Sequence, residues 1–295
     1  MTVSDAKQIL RDYHNLSNPG ENDEIGYVEA LEYLIDHTKE PDYMTELGWF
    51  YCTKKCFDME IRYFEMAVEY GDGRAAEELG YMWYYGQHGE QDYEKAFRYF
   101  TIGAEKCNWV DTLWCRYKLA DMYRFGCYVK KDKEKYRQMI NEAYEEVKNP
   151  AYIDMPYAEI SYRKAGILLE DGAVNEAVQL LRSSKKFLAE RLSEYIFWGH
   201  VEMMGRIVNR IYELVPFSKE HFDFYDLFFL TNHPVKIRFK YAGRLFELEV
   251  SDDDEPAIAF EGKWYRNFAE FCEKADLGKD KIVKNYDALY DWEVA

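Results

Sequence analysis

The chain has 295 residues and a formal net charge of −17, from 38 Lys and Arg against 55 Asp and Glu. Hydrophobic residues make up 48% of it and aromatic residues 18%, which supplies a sizeable core for one or two domains and excludes a disordered chain. An acidic surface repels phosphate backbones and anionic lipids, so nucleic acid and membranes are not expected as partners. The charge serves either solubility alone or the attraction of a basic protein.

The N-terminal segment MTVSDAKQILRDYHNLSNPG has no basic start followed by an apolar run, and no apolar stretch of about 18 residues occurs in the chain. A cytoplasmic location is therefore expected. The cysteines lack a Cys-x-x-Cys pair and are expected as reduced thiols packed as small hydrophobic side chains. They are Cys52, Cys56, Cys107, Cys115, Cys127 and Cys272.

Helical periodicity is interrupted by turns along most of the chain. Apolar residues recur at helical spacing from Ala75 to Gly86, the segment GQHGEQD breaks the pattern, and the spacing resumes from Tyr93 to Glu105. This pattern predicts a helix hairpin. Because helices approach closely only at small residues, Gly80 and Ala96 are expected where the two helices touch, and Ala104 against the next hairpin.

The same unit recurs, which predicts four to five hairpins over residues 5–190. Aligning Leu47, Leu79 and Leu119, which lie 32 to 40 residues apart, brings Gly48, Gly80 and Ala120 into register. A fourth copy contains Ala165-Gly166, and a degenerate pair of helices precedes the first copy.

The repeated pattern is A-x-x-x-L-G-x-x-Y, a glycine near the turn, D-Y-x-K-A-x-x-Y-F and a closing alanine. It resembles the Sel1-like repeat, a relative of the tetratricopeptide repeat, and the middle copy matches it closely at Ala76, Leu79, Gly80, Gly86, Asp92, Tyr93, Lys95, Ala96 and Ala104. The third copy departs from it, with Lys135 or Tyr136 in place of the second-helix alanine. The resemblance implies a mainly α fold, a right-handed α-α superhelical solenoid that holds other proteins together, and it implies no chemistry.

Two further helical segments are predicted after the repeats, so that the solenoid and its capping helices span residues 1–232. Residues from Glu190 to Val215 are expected as one helix with an apolar face. The segment KEHFDFYDLFFL brings five aromatic residues into eight positions and is interpreted as a hydrophobic plug joining two domains.

The hydrophobic period changes to two after Pro234, which predicts a small α+β domain over residues 235–295. Two hairpins are expected, VKIRFKY with RLFELEV around Ala242-Gly243, and AIAF with KWY around Glu261-Gly262. Basic residues on the first strand are expected opposite acidic ones on the second. The segments NFAEFCEKA and KDKIVKNYDALYDW are expected as helices that cover four strands.

No catalytic, metal or cofactor residues are predicted, and no small-molecule substrate. The six histidines never take a zinc spacing, and phosphate-loop and nucleophile-elbow motifs are absent from the sequence. The acidic run from Ser251 to Glu255 lacks the alternating ligand pattern of a calcium loop and is interpreted as a solvated turn. Cys52 and Cys56 have no histidine close by in sequence and are interpreted as packed thiols.

The function expected is therefore that of a scaffold that binds a protein or peptide, basic ones included, in the concave groove of the repeats. The alternative is an acidic, immunity-type inhibitor of one basic protein, which would bind tightly and in a salt-sensitive way. An enzyme of unknown type is the least favoured alternative, since no acid, base or nucleophile can be named.

The repeat register predicts the residues of the groove. If the Leu-Gly pair of each first helix faces its own second helix, the positions two before, two after and five after the leucine face the groove. These are Trp49, Cys52, Glu77, Tyr81, Tyr84, Tyr117, Asp121 and Arg124. Aromatic residues at helical spacing are also typical of a core, so this hypothesis requires Tyr81, Tyr84 and Tyr117 to be substantially exposed on one side.

Overall fold

The computed structural model describes residues 1–106, 111–148, 155–217, 222–251 and 257–294. Its described residues begin with a series of helices that pack as antiparallel hairpins, α1 with α2, α3 with α4, α5 with α6 and α9 with α10. Between them, Met139 of α8 packs against a core cluster that includes Leu119 and Met122 of α7. The bounds are α1 Val3–His14, α2 Glu21–Thr38, α3 Pro41–Thr53, α4 Phe57–Glu69, α5 Gly73–Tyr85, α6 Tyr93–Lys106, α7 Asp111–Phe125, α8 Lys133–Val147, α9 Met155–Glu170 and α10 Val174–Glu194. The predicted mainly α fold of helix hairpins is confirmed.

Local sequence explains where the hairpins turn. The Asp72 side chain caps α5 by accepting a hydrogen bond from the backbone N–H of Arg74 at 2.8 Å, and α5 ends at Gly86, whose φ of 64° favours glycine. The caps of α6 and α8 are equivalent, because Asp92 and Asp132 each accept from the backbone N–H three residues on. A repeated aspartate therefore starts the second helix of two successive hairpins.

Small residues lie where the helices touch, as predicted for Gly80. A Cβ atom at Gly80 would lie 2.5 Å from the ring of Phe100, and one at Gly48 would lie 2.6 Å from the ring of Phe64. Ala104, expected against the next hairpin, packs on the core cluster that includes Cys115 of α7, and a Cβ at the adjacent Gly103 would collide with the Cys115 sulfur. Each of these glycines allows a side chain of a neighbouring helix to pack directly on backbone.

Contacts divide the chain into two compact units, Met1–Ala143 and Tyr144–Ala295. All strands of the described residues lie between 235 and 294, which confirms the predicted change from helix to strand at Pro234. The division of contacts falls earlier than the predicted domain boundary at residues 232–235. Helices α9 and α10 share the second unit with the sheet.

The single helix predicted from Glu190 to Val215 is wrong, because α10 continues to Glu194 and a new helix, α11, spans Trp198–Leu214. Tyr195 between them has the extended conformation, with φ −153° and ψ 149°. Three successive aromatic or β-branched residues, which form helices poorly, occupy the break. The Phe197 ring also packs on Gly199, where a Cβ would lie 2.7 Å from it.

The aromatic segment before the sheet forms a short 3₁₀ turn, Phe224–Asp226, followed by α12, Leu227–Leu230. Phe224 is fully buried, with its ring centroid 5.2 Å from that of Phe268. Phe228 packs edge-on against Phe268 at 4.7 Å and also covers Gly205 of α11. The segment therefore joins helices to sheet by aromatic packing, in agreement with its interpretation as a plug.

The sheet has five antiparallel strands, one more than predicted, and their spatial order is Lys263–Tyr265 (β4), Ile258–Phe260 (β3), Arg244–Val250 (β2), Val235–Tyr241 (β1) and Tyr290–Val294 (β7). Its predicted hairpins are confirmed, and Ala242 and Gly243 turn the first with φ values of 47° and 78°. The predicted cross-strand charge pairs are also present, with Arg238 Nε 2.7 Å from a Glu247 oxygen. The strands and the following helix are β1 Val235–Tyr241, β2 Arg244–Val250, β3 Ile258–Phe260, β4 Lys263–Tyr265 and α13 Phe268–Lys274.

The end of the chain differs from the helix expected there. Two short strands, β5 Asp276–Leu277 and β6 Asp280–Lys281, precede a 3₁₀ segment over Ile282–Ala288, and β7 Tyr290–Val294 then pairs with β1. The ring of Trp292 on β7 lies 4.8 Å from that of Phe239. A five-residue strand gains its stability from this distant partner, which a local pattern does not reveal. Most of the predicted acidic turn, residues 252–255, lies outside the described residues.

The described cysteines are free thiols, but their packing differs from the prediction. Cys115 and Cys272 are buried as expected, whereas Cys52 and Cys56 are exposed at the end of α3 and in the turn after it. Cys107 lies outside the described residues. Across the part of the chain that the structure describes, none of the helices is long and apolar enough to span a bilayer.

Candidate protein-binding face

The candidate site is one stripe of side chains from the first helices of three successive hairpins, here called the first-helix face. It consists of the positions five before, one before, two after and six after each aligned leucine. Residues spaced four, three and four apart lie along one side of an α-helix. The members are Asp42, Glu46, Trp49 and Thr53 on α3, Arg74, Glu78, Tyr81 and Tyr85 on α5, and Trp114, Lys118, Asp121 and Phe125 on α7.

The first hairpin contacts this face through Glu46. A carboxylate oxygen of Glu46 accepts a hydrogen bond from the Tyr27 hydroxyl at 2.6 Å and lies 3.1 Å from Nε2 of His14. The ring of Tyr13 stacks on Tyr27 with centroids 4.0 Å apart. These contacts fix two aromatic rings of α1 and α2 beside α3.

The contact between α3 and α5 combines an indole and an ion pair. The Trp49 Nε1–H donates to a Glu78 oxygen at 3.1 Å, and the Arg74 guanidinium pairs with Asp42 while lying 6.0 Å from the Trp49 ring centroid. Burial raises the pKa of the Glu78 carboxyl above its usual value. Neighbours therefore hold the N–H edge and one face of the Trp49 indole, while 40% of the residue stays exposed.

A cavity of about 620 Å³ opens between α1, α3 and α5. Its walls combine aromatic rings with carboxylates, a guanidinium and an imidazole. The lining residues are Tyr13, His14, Tyr27, Asp42, Glu46, Trp49, Phe50, Thr53 and Arg74. Pockets of this size that pair apolar walls with a few polar groups are typical binding sites.

The contact between α5 and α7 is a lysine enclosed by tyrosines. Lys118 is buried, its Nζ donates to the Tyr85 hydroxyl at 2.5 Å, and it lies 4.8 to 5.8 Å from the centroids of four rings. Those rings belong to Tyr81, Tyr84, Tyr85 and Tyr117. Cation–π attraction of this kind is strongest where water is excluded. The arrangement locks the two first helices together.

The exposure that the sequence hypothesis requires is not found. Tyr117 is 2% exposed, and its hydroxyl lies 2.9 Å from that of Tyr81, which is half-buried like Tyr84. Asp121 is buried, and Glu77 and Arg124 are half-buried. The Arg124 guanidinium donates to the Tyr136 hydroxyl of its own hairpin at 3.3 Å, and only Trp49 and Cys52 of the predicted set are exposed.

The error has a simple geometric cause. A helix turns about 100° per residue, so the positions two before and five after the leucine lie on one side of position +2, and positions −5, −1 and +6 lie on the other. The predicted stripe is therefore rotated by about 60° toward the neighbouring helix. Position −2 is buried in two copies, at Thr45 and Tyr117. Tyr85 and Phe125 at position +6, which are 51% and 60% exposed, were missed.

A second group of titratable side chains lies between α4 and the loop after α5. Nε2 of His88 lies 3.1 Å from a Glu60 oxygen, and the imidazole stacks on Phe57 at 3.8 Å. Burial and the nearby Glu60 raise the pKa of the Cys52 thiol to about 11, which keeps the sulfur protonated and weakly nucleophilic at neutral pH. Within residues that the structure describes, no cluster of three or more His, Cys, Asp or Glu is arranged to hold a metal ion.

No family model matches the chain, and no curated protein matches it. Among solved structures it is similar to a Sel1 repeat protein from Oxalobacter formigenes, at 16% identity and a TM-score of 0.47 over 70% of this chain and 79% of that one. It is also similar to a protective antigen of uropathogenic Escherichia coli strains that displays an SLR fold, at 16% identity and a TM-score of 0.49. That similarity covers 75% of this chain and 51% of the antigen, so the chain spans about half of the antigen's length. The helix hairpins expected from the sequence are present in the structure itself.

Proposed function

We propose that this chain is a protein-interaction scaffold that holds an extended segment of a partner protein on the first-helix face. The cavity between α1, α3 and α5 carries this proposal. It places the exposed Trp49 indole beside the rings of Tyr13 and Phe50. Large aromatic side chains in a concave, partly desolvated site are the residues that dominate binding free energy at protein interfaces.

The exposed aromatic residues continue beyond the cavity. Trp49, Tyr85 and Phe125 lie on three successive first helices, and each has at least 40% of its surface exposed. An extended peptide places every second side chain on the same side, so it can present apolar residues to several such rings in turn. The regular occurrence of exposed rings favours a bound chain over a compact small molecule.

The charge of the chain favours a basic partner. With a formal charge of −17, the protein attracts cations over distances set by the ionic strength. Asp42, at the rim of the cavity, keeps 72% of its side chain exposed although it pairs with Arg74. A partner with Lys or Arg beside its apolar residues would therefore associate faster at low salt than at high salt.

The test uses peptides selected from a random library against the full chain, with binding measured by fluorescence anisotropy. We expect Trp49→Ala to weaken the selected peptides by at least about tenfold, since an aromatic anchor at the centre of an interface contributes about 2 kcal/mol or more. The control is Trp264→Ala, which removes an indole that is 67% exposed on β4. Peptides that bind both variants as tightly as the unchanged protein would contradict the proposal.

The alternative, an inhibitor of one basic protein, is favoured by the net charge alone. It predicts that binding depends on charge alone, so that the affinity falls steeply with added salt and is unchanged by Trp49→Ala. Peptides that Trp49→Ala weakens at low and at high salt alike would support the scaffold and exclude this alternative.

A further inference from the structure

The unit formed by residues 144–295 contains a separate cavity of about 320 Å³. One wall is a basic face of α10, on which Arg182, Lys185 and Lys186 follow one another at helical spacing. Residues three and four apart lie on the same side of a helix, so all three cations reach one cavity. This is a local excess of positive charge in a chain with 55 acidic and 38 basic residues.

Lys185 is neutralised within the cavity. It is buried, and its Nζ lies 2.9 Å from an Asp223 oxygen and 2.5 Å from an Asp226 oxygen. A buried charge is stable only when it is paired and hydrogen-bonded, and these two carboxylates provide both for the Lys185 ammonium. The ion pairs link α10 to the 3₁₀ turn that carries Asp226 and so hold these two walls of the cavity in place.

The other two cations have no such compensation. Arg182 and Lys186 are exposed at the mouth of the cavity, and neither forms an ion pair with any described residue. With three cations and two carboxylates among its lining residues, the cavity has a net charge of about +1 at neutral pH. A bound anion would supply the missing partner for both side chains.

The remaining walls suit an organic group. Tyr212 of α11 and Tyr286 present phenol rings beside Ile211. The volume lies at the lower end of the range for small-molecule sites, which is too small for a folded segment of a protein. Aromatic walls favour a flat or sugar-like group next to the anion.

We infer that this cavity binds the phosphate monoester of a small molecule, with Arg182 and Lys186 contacting the phosphate and the two tyrosine rings contacting the organic group. Arg presents paired N–H donors to phosphate oxygens, and Lys adds a compact charge. This site is independent of the first-helix face, because all of its residues belong to the unit 144–295.

The experiment is isothermal titration calorimetry of the full chain with three probes, inorganic phosphate, ribose 5-phosphate and adenosine 5′-monophosphate. We expect at least one ester to bind tenfold or more tightly than inorganic phosphate. The double variant Arg182→Gln/Lys186→Gln should weaken that ester at least tenfold. The matched control is Lys263→Gln/Lys279→Gln, which removes two exposed lysines outside the cavity and should leave binding unchanged.

The three probes distinguish contacts to the phosphate from contacts to the organic group. If inorganic phosphate and both esters bind equally well and the double variant binds none of them, the tyrosine walls have no role and the inferred site for a phosphate monoester is overturned. Failure of every probe to bind at millimolar concentration overturns the inference. So does equal weakening in the double variant and the control, since that result would reflect general charge. Circular dichroism of the double variant confirms the fold, because both side chains are exposed.

Discussion

Each of the two units of the molecule is stabilised internally by a different kind of contact. Between the hairpins of residues 1–143, the same contact recurs about one repeat apart, with the Tyr63 hydroxyl donating to Glu32 and the Tyr99 hydroxyl donating to Glu65. In residues 144–295, one aromatic cluster around Phe224 joins a 3₁₀ turn to α13 and the sheet. The first unit is built by repetition of one contact between neighbouring hairpins, and the second by aromatic contacts that do not repeat along the chain.

The largest effect is expected from Phe224→Ala. Removing a fully buried ring that packs on Phe268 and Phe271 should lower the free energy of unfolding by about 3–5 kcal/mol. If the two units are stabilised by separate contacts, amide hydrogen exchange should accelerate in peptides from the sheet and α13 and stay unchanged in peptides from α3 to α6. Mass spectrometry measures both rates. Equal acceleration in both regions would break the distinction between the units.

A phenylalanine of the same size but different burial provides the control. Phe125, at the end of α7, is 60% exposed, and Phe125→Ala should change stability by no more than about 0.5 kcal/mol.

Gly80→Leu is the corresponding test of the repeat unit. The new side chain must displace the Phe100 ring, which already lies within 2.5 Å of the position of a Cβ, at an overpacking cost of roughly 1–3 kcal/mol. Urea unfolding followed by far-ultraviolet circular dichroism should show a lower midpoint. Gly26→Leu is the matched control, because a Cβ there meets nothing within 4 Å, and leucine favours helix. A loss of stability in the control alone would refute the packing argument.

The smallest effect concerns the carboxyl that holds Trp49. Burial raises the pKa of Glu78 in the folded state, so between its usual value and the raised one the folded chain binds more protons than the unfolded chain. Stability from this group therefore falls as the pH rises through that interval. Glu78→Gln keeps an acceptor for the Trp49 N–H but does not titrate.

The variant should accordingly gain stability relative to the unchanged protein as the pH rises from 4 to 7. Thermal melts at both pH values measure the difference, and Glu29→Gln on the exposed side of α2 serves as control. A difference that stays constant with pH, or shrinks, would show that the Glu78 carboxyl is not destabilised by burial.

Features set by local sequence could be predicted, and features that depend on partners distant in the chain could not. The hairpin α5 to α6, the contact at Gly80 and both tail hairpins follow from local periodicity and turn residues. Strand β7 escaped prediction because its stability comes from pairing with β1, about fifty residues earlier. The exposed stripe was misplaced because a leucine alignment fixes which residues are equivalent but leaves the rotation of each helix toward its neighbour undetermined.

The cavity on α10 was invisible to sequence analysis for a related reason. In the sequence, Arg182 and Lys186 have the pattern of solvent-exposed residues on a helix. Asp226 and Tyr286 line the same cavity only after the chain has folded. Spacing within one helix can indicate a charged face. It carries no information on which distant carboxylates will neutralise one lysine of that face and leave two cations without partners.

The tyrosine and glutamate contacts of the second helices bear on how such a chain lengthens during evolution. Helix α4 carries both halves of the contact, since Tyr63 donates back to α2 and Glu65, two residues later, accepts from α6. A duplicated copy of the hairpin α3 to α4 would therefore bring its own tyrosine to the glutamate of the original. Gene duplication could add a hairpin at this joint with the tyrosine–glutamate contact intact, and the same property makes the joint a suitable place to insert a hairpin by design.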